Sequence, residues 1–338
     1  MLSRLIAVAI AAAGTMAMPA QADPVAEFYS GNRITFVVGT GAGGGYGMYA
    51  ELLAKHLPQY IPGEPAITIQ YMPGAGGVTA TTYMYRSAAR DGTVIATLTQ
   101  SNPLYQVLND VDSFDAAALT YIGRMATANA AGLVWSETGV ASLDDMSETP
   151  IVFGGTGRGD QSYMFPTILR TLFGFDTRTV LGYSGSGEMN LAIERREVDG
   201  RVGSWTSLKN AVGPWLDDGR IVPVLEVGLE SSPDLAGVVP LVTDLARDDE
   251  ELALLRLLSS YAAIGRAISS APEVPEERLE ALRTAFDMAI SDPALLAEAA
   301  ELGLPIEPLT GAEVADIVSE TVGAPAELVA RARELLEY

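Results

Sequence analysis

Four glycine-rich segments contain the residues of this sequence that are best suited to bind a ligand. They occupy residues 39–45, 73–77, 154–159 and 182–187, and a run of strand-forming residues precedes each one. Glycine lets the backbone adopt positive φ and approach a ligand closely. A helix that starts after such a segment presents unpaired N–H groups and a partial positive charge. Each segment alone is typical of an ordinary strand-to-helix turn, but four together at the carboxyl ends of strands favour a cleft that binds a carboxylate without lysine.

The first segment also matches the dinucleotide-binding fingerprint, with Gly39, Gly41 and Gly44 at the required spacing. That fingerprint needs an acidic residue about 20 positions later, at the end of the second strand, to hold the ribose. The second strand instead ends in residues 69–72, Ile-Gln-Tyr-Met, and leads into another glycine turn. We therefore predict that the protein uses no dinucleotide and no other cofactor.

The chain has one histidine and no cysteine, which limits the catalytic arrangements available to it. His56 lies late in a predicted helix, where we expect a packing or surface role, so a Ser-His-Asp triad has no suitable base. Ser184 and Ser186 do not fit the Gly-x-Ser-x-Gly pattern of a nucleophile elbow. No set of histidines and cysteines can form a zinc site, and no pair stands out among the 43 acidic residues. We predict that the protein is not an enzyme and has no metal site.

Strand and helix signals alternate along the chain and position the glycine-rich segments. Strands are predicted at residues 34–38, 67–71, 93–99, 133–135, 151–153, 179–182 and 222–227. Helices are predicted at residues 46–57, 78–89, 161–172, 188–196 and 275–290, and further helices follow to the end of the chain. This repetition predicts an α/β fold with helices on both faces of a parallel sheet. No low-complexity linker divides the chain, which is typical of a chain that crosses between two lobes and returns.

The first 22 residues have the features of an export signal. Arg4 provides a positive charge, residues 5–18 form an apolar stretch without acids, and Ala20-Gln21-Ala22 forms a small-residue cleavage site. A membrane anchor is the alternative, but the apolar stretch is shorter than the ~20 residues that span a bilayer. We therefore predict a periplasmic protein that is cleaved after Ala22 and is not embedded in the membrane.

The chain carries 43 acidic residues against 21 lysines and arginines, which gives a formal net charge of −22. No cluster of basic residues interrupts this acidity, so the sequence has no electrostatic footprint for nucleic acid. An acidic protein that binds an anion must use local dipoles and not its overall field. The helix starts that follow the glycine-rich segments are the predicted source of those dipoles.

A series of short motifs appears in order along the chain: Val37-Val38, Gly43-Gly44-Gly45, residues 50–54, Met72-Pro73-Gly74-Ala75-Gly76-Gly77, Asp91-Gly92-Thr93, Asn102-Pro103-Leu104-Tyr105, Gly182-Tyr183-Ser184-Gly185-Ser186, Val198-Asp199-Gly200, Asp292-Pro293 and Leu302-Gly303. This ordered set resembles the solute receptors of tripartite tricarboxylate transporters, which are also called Bug-type binding proteins. The resemblance extends over essentially the whole chain after residue 22. Each motif alone is weak, and the order makes the set specific.

The resemblance implies a type II periplasmic-binding-protein fold, in which two α/β lobes with mostly parallel sheets close over a ligand at a hinge. It implies that residues 23–126 and 250–338 form lobe 1 and that residues 127–249 form lobe 2. It also implies a monomer that captures a small organic anion, such as a di- or tricarboxylate, and delivers it to the two membrane carrier subunits of an ion-driven transporter. The alternatives are a receptor that presents its ligand to a membrane signalling partner and an exported hydrolase or lyase that acts on a carboxylate.

By position, the resemblance assigns ligand-binding residues to both lobes. The first two glycine loops are implied to hold one carboxylate through backbone groups and bridging water, and the second lobe adds further contacts. The implied ligand-binding residues are Thr40, Gly41, Ala42, Gly44, Tyr46, Gly74, Ala75, Gly76, Thr79, Arg158, Ser162, Tyr183, Ser184, Ser186 and Trp205.

The chain departs from the family pattern in the first loop. Many family members have threonine and aspartate where this chain has Tyr46 and Gly47. The missing acid leaves open how a cationic or hydroxyl group of the ligand is recognised, and Tyr46 is expected to narrow the pocket or to donate its hydroxyl. Arg158 is a candidate partner for a distal carboxylate, with a solvated loop arginine as the alternative. Trp205 is a candidate for stacking on the ligand, with core packing as the alternative.

Overall fold

Strands and helices alternate through most of the chain, as the sequence patterns predict. The computed structural model describes residues 23–337, and the predicted export signal with its cleavage site after Ala22 lies outside the described residues. The strands are β1 (Ile34–Val38), β2 (Ile67–Tyr71), β3 (Val94–Thr97), β4 (Thr120–Arg124), β5 (Ala130–Trp135), β6 (Ile151–Gly155), β7 (Thr177–Leu181), β8 (Gly200–Ser204), β9 (Ile221–Val227), β10 (Ala267–Ser270) and β11 (Leu309–Thr310). The helices are α1 (Pro24–Ser30), α2 (Gly45–His56), α3 (Val78–Arg86), α4 (Asn102–Leu108), α5 (Gln161–Thr171), α6 (Ser186–Glu194), α7 (Trp205–Asp217), α8 (Asp249–Ser259), α9 (Tyr261–Ile264), α10 (Glu276–Ile290), α11 (Pro293–Glu301), α12 (Gly311–Val322) and α13 (Ala326–Leu336).

The strands form two separate mixed sheets. The first sheet has the order β11-β4-β10-β3-β1-β2, and the second has the order β7-β6-β8-β5-β9. Strands are parallel where strand-loop-helix units repeat, as in β1 with β2 and β3, and in β6 with β7 and β8. They are antiparallel around β5 and β10, the strands by which the chain enters each sheet from the other one. The two-lobe α/β fold is confirmed, with more antiparallel pairing than predicted because of these entering strands.

Two segments connect the sheets and lie side by side. The backbone N–H of Met125 donates to the carbonyl of Arg266 at 3.0 Å, and the N–H of Arg266 donates to the carbonyl of Ala126 at 2.9 Å. The N–H of Ala128 continues this pairing by donating to the carbonyl of Ala262 at 3.0 Å. Crossover segments of this kind are where a two-lobe protein can bend, because a hinge consists of the few residues that connect two lobes.

The first sheet is covered on both faces by apolar side chains. One face packs Phe36 of β1 against Phe286 of α10, together with residues of α2 and α11. The other face packs Ala96 of β3 with Met84 of α3 and Val318 of α12. Burial of such side chains is the dominant favourable contribution to folding, and it fixes the helices that begin at the glycine loops.

The second sheet has its own core, and the C-terminal part of the chain contributes to it. Phe153 of β6 shares one cluster of buried side chains with Leu255 of α8 and Ala332 of α13. Ile193 of α6 and Leu208 of α7 belong to the core on the opposite face. The lobe boundary at residue 250 stays a prediction. That boundary assigns α8 and α13 almost entirely to lobe 1, whereas both helices pack against the second sheet.

Polar caps define where several helices begin. The side chain of Asp292 accepts a hydrogen bond from the N–H of Ala294, and Thr310 and Glu313 form a reciprocal capping box at the start of α12. Asp160 caps α5 by accepting from the N–H of Ser162. Among residues 23–337, no helix is long and apolar enough to cross a membrane.

Candidate functional site

The glycine loops of the two sheets meet in a closed cleft. The N–H of Gly41, after β1, donates to the carbonyl of Ser184, after β7, at 3.0 Å. The hydroxyl of Ser101, after β3, donates to the carbonyl of Gly159, after β6, at 2.8 Å. These bonds join loops at the carboxyl ends of strands in both sheets, so the two lobes enclose the space between them.

Glycine is required at one junction because the backbones of the two lobes touch there. A Cβ atom on Gly157 would lie 2.5 Å from the backbone nitrogen of Gly76, and one on Gly76 would lie 2.9 Å from the backbone nitrogen of Asp160. Real Cβ atoms do not approach other atoms so closely. Gly76 also has a positive φ of 68°, a conformation that favours glycine. The glycine backbone at this point was predicted to lie close to a ligand, and in the structure it lies close to the backbone of the opposite lobe.

A buried arginine lies at the base of the cleft, beside the crossover segments. Arg266 has 2% of its surface exposed, and its Nη1 donates to Oε1 of Gln100 at 3.1 Å. Its guanidinium lies over the ring of Tyr46 at 4.2 Å, and Nη2 reaches Oγ of Ser207 in the second lobe at 3.5 Å. Its Nε has no hydrogen-bond partner within the part of the chain that the structure describes. Arg266 therefore places a positive charge between the lobes with a donor left unpaired.

A second buried arginine comes from the second lobe. Arg201 of β8 has 1% of its surface exposed, and its Nε donates to Oδ1 of Asn190 at 2.7 Å. Nη1 donates to Oγ of Ser186 at 3.3 Å, while Nη2 has no hydrogen-bond partner among the described residues. Burial lowers the pKa of Arg201 to about 10, and the nearby charge of Asp160 opposes this shift. The group stays protonated at neutral pH.

Tyr46 and Asp160 complete the polar centre of the cleft. The hydroxyl of Tyr46 accepts a hydrogen bond from the N–H of Gln100 at 2.9 Å. Burial raises the pKa of Tyr46, and the charge of Arg266 opposes that shift. Burial likewise raises the pKa of Asp160, although hydrogen bonds from Ser162 favour its ionised form. The predicted narrowing role of Tyr46 toward a ligand stays a prediction, and its established contacts are with Gln100 and Arg266.

The structure brings most of the sequence-predicted site residues to the loops around this cleft. Gly41, Gly44, Gly76, Ser184 and Ser186 lie at or beside junctions between the lobes. Ser162 is buried beneath the Thr156 backbone, whose N–H donates to its hydroxyl at 3.1 Å. The remaining loop residues are partly or fully exposed at the cleft loops: Thr40, Ala42, Gly74, Ala75, Thr79 and Tyr183. Their ligand-binding roles stay predictions.

Arg158 and Trp205 have contacts of other kinds. Arg158 is exposed, its Nη1 donates to the carbonyl of Glu337 at 3.4 Å, and its guanidinium lies 5.3 Å from the ring centre of Tyr163. Trp205 is partly buried, and its Nε1 donates to Oδ2 of Asp234 at 3.2 Å. Their predicted ligand contacts also stay predictions.

Sequence reasoning missed two charged residues of the cleft, Arg201 and Arg266, and it placed Asp160 within the loop of residues 156–162 without assigning it a role. One signal was available for Arg201, because a charged residue between Gly200 and Gly203 stands in a segment of small and apolar residues. Charged side chains are rarely fully buried unless they are paired. No motif marks Arg266, which only the crossover geometry brings into the cleft.

The described residues also locate the single histidine and limit metal binding. His56 is buried, and its Nε2 lies 2.8 Å from Oε2 of Glu298. Within residues 23–337, no group of three or more histidine, cysteine, aspartate or glutamate residues is arranged to hold a metal ion.

Two α/β lobes, two paired crossover segments and a cleft between glycine loops define the fold of periplasmic binding proteins. Among solved structures, the chain is similar to the periplasmic binding protein BugD, with a TM-score of 0.71 and 18% identity over 89% of this chain and 97% of that one. It is similar to MatC from Rhodopseudomonas palustris with bound malate, with a TM-score of 0.67 and 18% identity over 90% of this chain and 99% of that one. A second R. palustris protein, with adipate, has a TM-score of 0.69 and 19% identity over 90% of this chain and 97% of that one.

These likenesses confirm the predicted resemblance at the level of the fold. No protein-family model matches the sequence, and no curated protein matches it. Because the sequence identities lie below 20%, the similarity to these solved structures establishes the two-lobe architecture alone.

Proposed function

We propose that this protein is a periplasmic receptor of the Bug type that captures a small organic carboxylate and delivers it to a tripartite tricarboxylate-type membrane carrier. The observation that carries the proposal is Arg266, a cation enclosed between the lobes whose Nε has no hydrogen-bond partner among residues 23–337. A buried charge without a counter-charge is costly, and an anionic ligand held in the closed cleft would compensate it.

The backbone around Arg266 favours an anion as well. A Cβ atom on Gly45, the first residue of α2, would lie 3.3 Å from Nη2 of Arg266. The N-terminus of a helix carries unpaired N–H groups and a partial positive charge, and it binds carboxylates for that reason. The guanidinium and the start of α2 therefore act together on an anion at this point, in spite of the net charge of −22.

The related folds agree with this chemistry. Two of the solved structures carry malate and adipate, both dicarboxylates, and they align with about nine-tenths of this chain. Closure of the lobes over the ligand would follow from tighter binding to the closed conformation. A two-lobe closed state is the form that a membrane carrier can distinguish from the open one.

Thermal unfolding of residues 23–338 with a panel of organic acids tests carboxylate binding. The panel contains succinate, malate, citrate, aconitate, adipate, terephthalate and several amino acids. A ligand at 100 times its dissociation constant adds about 2.7 kcal/mol to the free energy of unfolding. At about 2–4 °C per kcal/mol, the midpoint should rise by roughly 5–10 °C. If no acid raises the midpoint, the carboxylate receptor is contradicted, and if an acid is consumed, the protein is an enzyme.

Delivery to a carrier is tested in cells of the parent organism. Deletion of the receptor should abolish uptake of the labelled ligand, and restoring it should recover uptake. Unchanged uptake with a lost transcriptional or kinase response to the ligand would instead favour the signalling receptor that the sequence leaves open.

A further inference from the structure

The last helix, α13, joins the two lobes at a third place, apart from the two crossover segments. Only the stretch from Gly323 to Pro325 separates it from α12, and α12 packs on the first sheet through Val314 and Val318. α13 itself packs against α4, which follows β3 of the first sheet, and against α5 and α8, which cover the second sheet. A helix held by both lobes restricts their relative movement, because it must leave one of them before they can move apart at that place.

Buried apolar side chains continue from one lobe to the other beneath α13. Leu104 and Leu108 of α4 belong to the same buried cluster as Phe153 of β6, and α13 adds Ala332 and Leu336 to it. None of these five side chains is more than 1% exposed. Exposure of apolar surface to water costs free energy in proportion to its area. On this side of the molecule, the α4–α5 face, separation of the lobes would therefore open a hydrophobic core.

Two arginines fasten the C-terminal end of α13, one to each lobe. Nη2 of Arg333 donates to the carbonyl of Val107 in α4 at 2.6 Å, and the same guanidinium forms an ion pair with Asp110. Arg170 of α5 donates from Nη1 and Nη2 to the two carboxylate oxygens of Glu337, at 2.9 and 2.6 Å. Paired donors of this kind fix geometry, whereas exposed ion pairs add little energy. These contacts therefore set the position of the helix, and the apolar cluster supplies its attachment.

The contacts between the lobes on the opposite side, the α2–α7 face, are polar. Nδ2 of Asn210 in α7 donates to the carbonyl of Leu302, directly after α11, at 3.0 Å. Ser207 of α7 lies against the start of α2, where a Cβ atom on Gly45 would overlap its hydroxyl. Among residues 23–337, the buried cluster under α2 and α11 comes from the first lobe, and the cluster under α6 and α7 comes from the second. Water can replace polar contacts at little net cost.

We propose that α13 is a strap that keeps the lobes together on the α4–α5 face, so that the cleft opens on the α2–α7 face. The pivot lies next to the strap, since Ala262 belongs to the cluster beneath α13 and its carbonyl accepts from the N–H of Ala128 in the paired crossover segments. Elements beside a pivot move least when lobes rotate, so α13 can stay packed on both lobes while the far face separates. The direction of opening is thus a property of the chain itself, whichever ligand the cleft binds.

Distances between pairs of spin labels, measured by pulsed electron paramagnetic resonance, test the direction of opening. The protein is the chain of residues 23–338, refolded from urea to remove any bound ligand. The sequence has no cysteine, so introduced cysteines are labelled at the chosen sites alone. Met288→Cys on α10 with Asp217→Cys on α7 reports on the α2–α7 face, and Glu320→Cys on α12 with Ala253→Cys on α8 reports on the α4–α5 face. All four positions are exposed.

The two label pairs should behave differently. The distance across the α2–α7 face should exceed that of the closed structure by more than about 2 Å, the size that distinguishes rearrangement of lobes from adjustment of side chains. The distance across the α4–α5 face should stay within that limit and have a narrow distribution.

Substitutions in α13 then test whether the strap is the cause. Arg333→Gln removes the tie to α4, and Leu336→Ala reduces the apolar attachment, so each should broaden the distance distribution between the labels on α12 and α8. Arg331→Gln is the matched control on the same helix, because Nε of Arg331 lies 3.4 Å from Oε1 of Glu250 in α8, a pair that does not link the lobes. It should leave both distances unchanged.

Three results would overturn the strap. The first is an equal or larger opening on the α4–α5 face, and the second is a chain whose two distances both match the closed structure, since such a chain has no opening to restrain. The third is an α4–α5 distance that neither Arg333→Gln nor Leu336→Ala changes. The proposed carboxylate receptor stands or fails separately, because these distances are measured without ligand and the panel of organic acids is measured without labels.

Discussion

Closure of the cleft is predicted to depend on the absence of a side chain at residue 157. An alanine there would place its Cβ 2.5 Å from the backbone nitrogen of Gly76 and 2.7 Å from the backbone carbonyl carbon of Ala75. Both atoms belong to the other lobe and to its backbone, so they cannot move aside as the end of a side chain can. Gly157 is not among the glycines with positive φ, so alanine is compatible with its own backbone conformation. Gly157→Ala should therefore oppose closure without unfolding its lobe.

The size of the effect follows from the overlap. Inserting a methyl group where there is no space typically costs about 1–3 kcal/mol. If ligand binds only the closed conformation, that cost appears as a roughly 5- to 150-fold loss of affinity. The free energy of unfolding without ligand should change by less than about 0.5 kcal/mol, the usual range for a surface substitution.

Calorimetry with an organic acid that raises the unfolding midpoint of the chain gives the affinity, and urea unfolding of the same samples gives the stability. Gly213→Ala is a suitable control because it adds the same methyl group to the second lobe, within α7, where a Cβ would meet no atom within 4 Å. It should leave the affinity unchanged. If Gly157→Ala binds as tightly as the unsubstituted chain, the contact between residues 157 and 76 is not part of the bound conformation, and the reasoning from closure is wrong.

Three further predictions concern stability. Tyr46→Phe should lower the free energy of unfolding in urea by about 1–3 kcal/mol, because the buried N–H of Gln100 loses its acceptor while the ring under Arg266 is kept. An unchanged free energy of unfolding would show that another group accepts from Gln100. Burial raises the pKa of Asp160 above its ordinary value of 3.8, so folding favours the protonated acid. The stabilisation that protonated Asp160 contributes to folding is fully present below pH 3.8, and it is lost as the pH rises through the pKa of the folded state. The difference in unfolding free energy between the unsubstituted chain and Asp160→Asn should therefore fall as the pH is raised from about 4, and a difference that rises would contradict the shift. Thr310→Ala should lower the free energy of unfolding by about 1 kcal/mol through loss of the capping box and should leave ligand affinity unchanged. A full loss of affinity would show that α12 contributes to ligand binding in the cleft.

Local sequence patterns predict several elements of this fold well. The predicted strands at residues 34–38 and 67–71 have the same bounds as β1 and β2. Apolar runs that end at a glycine turn have a clear signal, because the periodicity of the strand stops where the turn residues begin. Such elements need no knowledge of the rest of the chain.

The central strand of the second sheet shows where this signal fails. β8 has the sequence Gly-Arg-Val-Gly-Ser and is buried along its whole length between β6 and β5. Two glycines, a serine and an arginine have low strand propensity, so the pattern gives no strand there. Its conformation is imposed by hydrogen bonds to strands that are far away in the sequence. The sequence gives a signal that Arg201 is unusual, but its position in the cleft could not be predicted because the strand that carries it was not.

The glycine loops were found from the sequence, but part of their role was not. Their spacing predicts close approach to a ligand, and the structure shows close approach between the lobes at Gly76 and Gly157. Both need a backbone without side chains, so the sequence signal is the same. Only the relative position of the two sheets, which depends on the crossover segments, distinguishes the two causes.

The overall acidity of the chain and its proposed affinity for an anion are compatible because they act over different distances. The 43 acidic residues create a surface field that salt screens within about 10 Å at 0.1 M ionic strength. Arg201 and Arg266 are buried, where screening by salt is weak and each unpaired donor raises the cost of leaving the charge unbalanced. The surface thus opposes the approach of any anion, whereas a buried arginine such as Arg266 would favour the anion of the proposed receptor. Selectivity in the proposed receptor would therefore come from the few charges inside the cleft and not from the net charge of the protein.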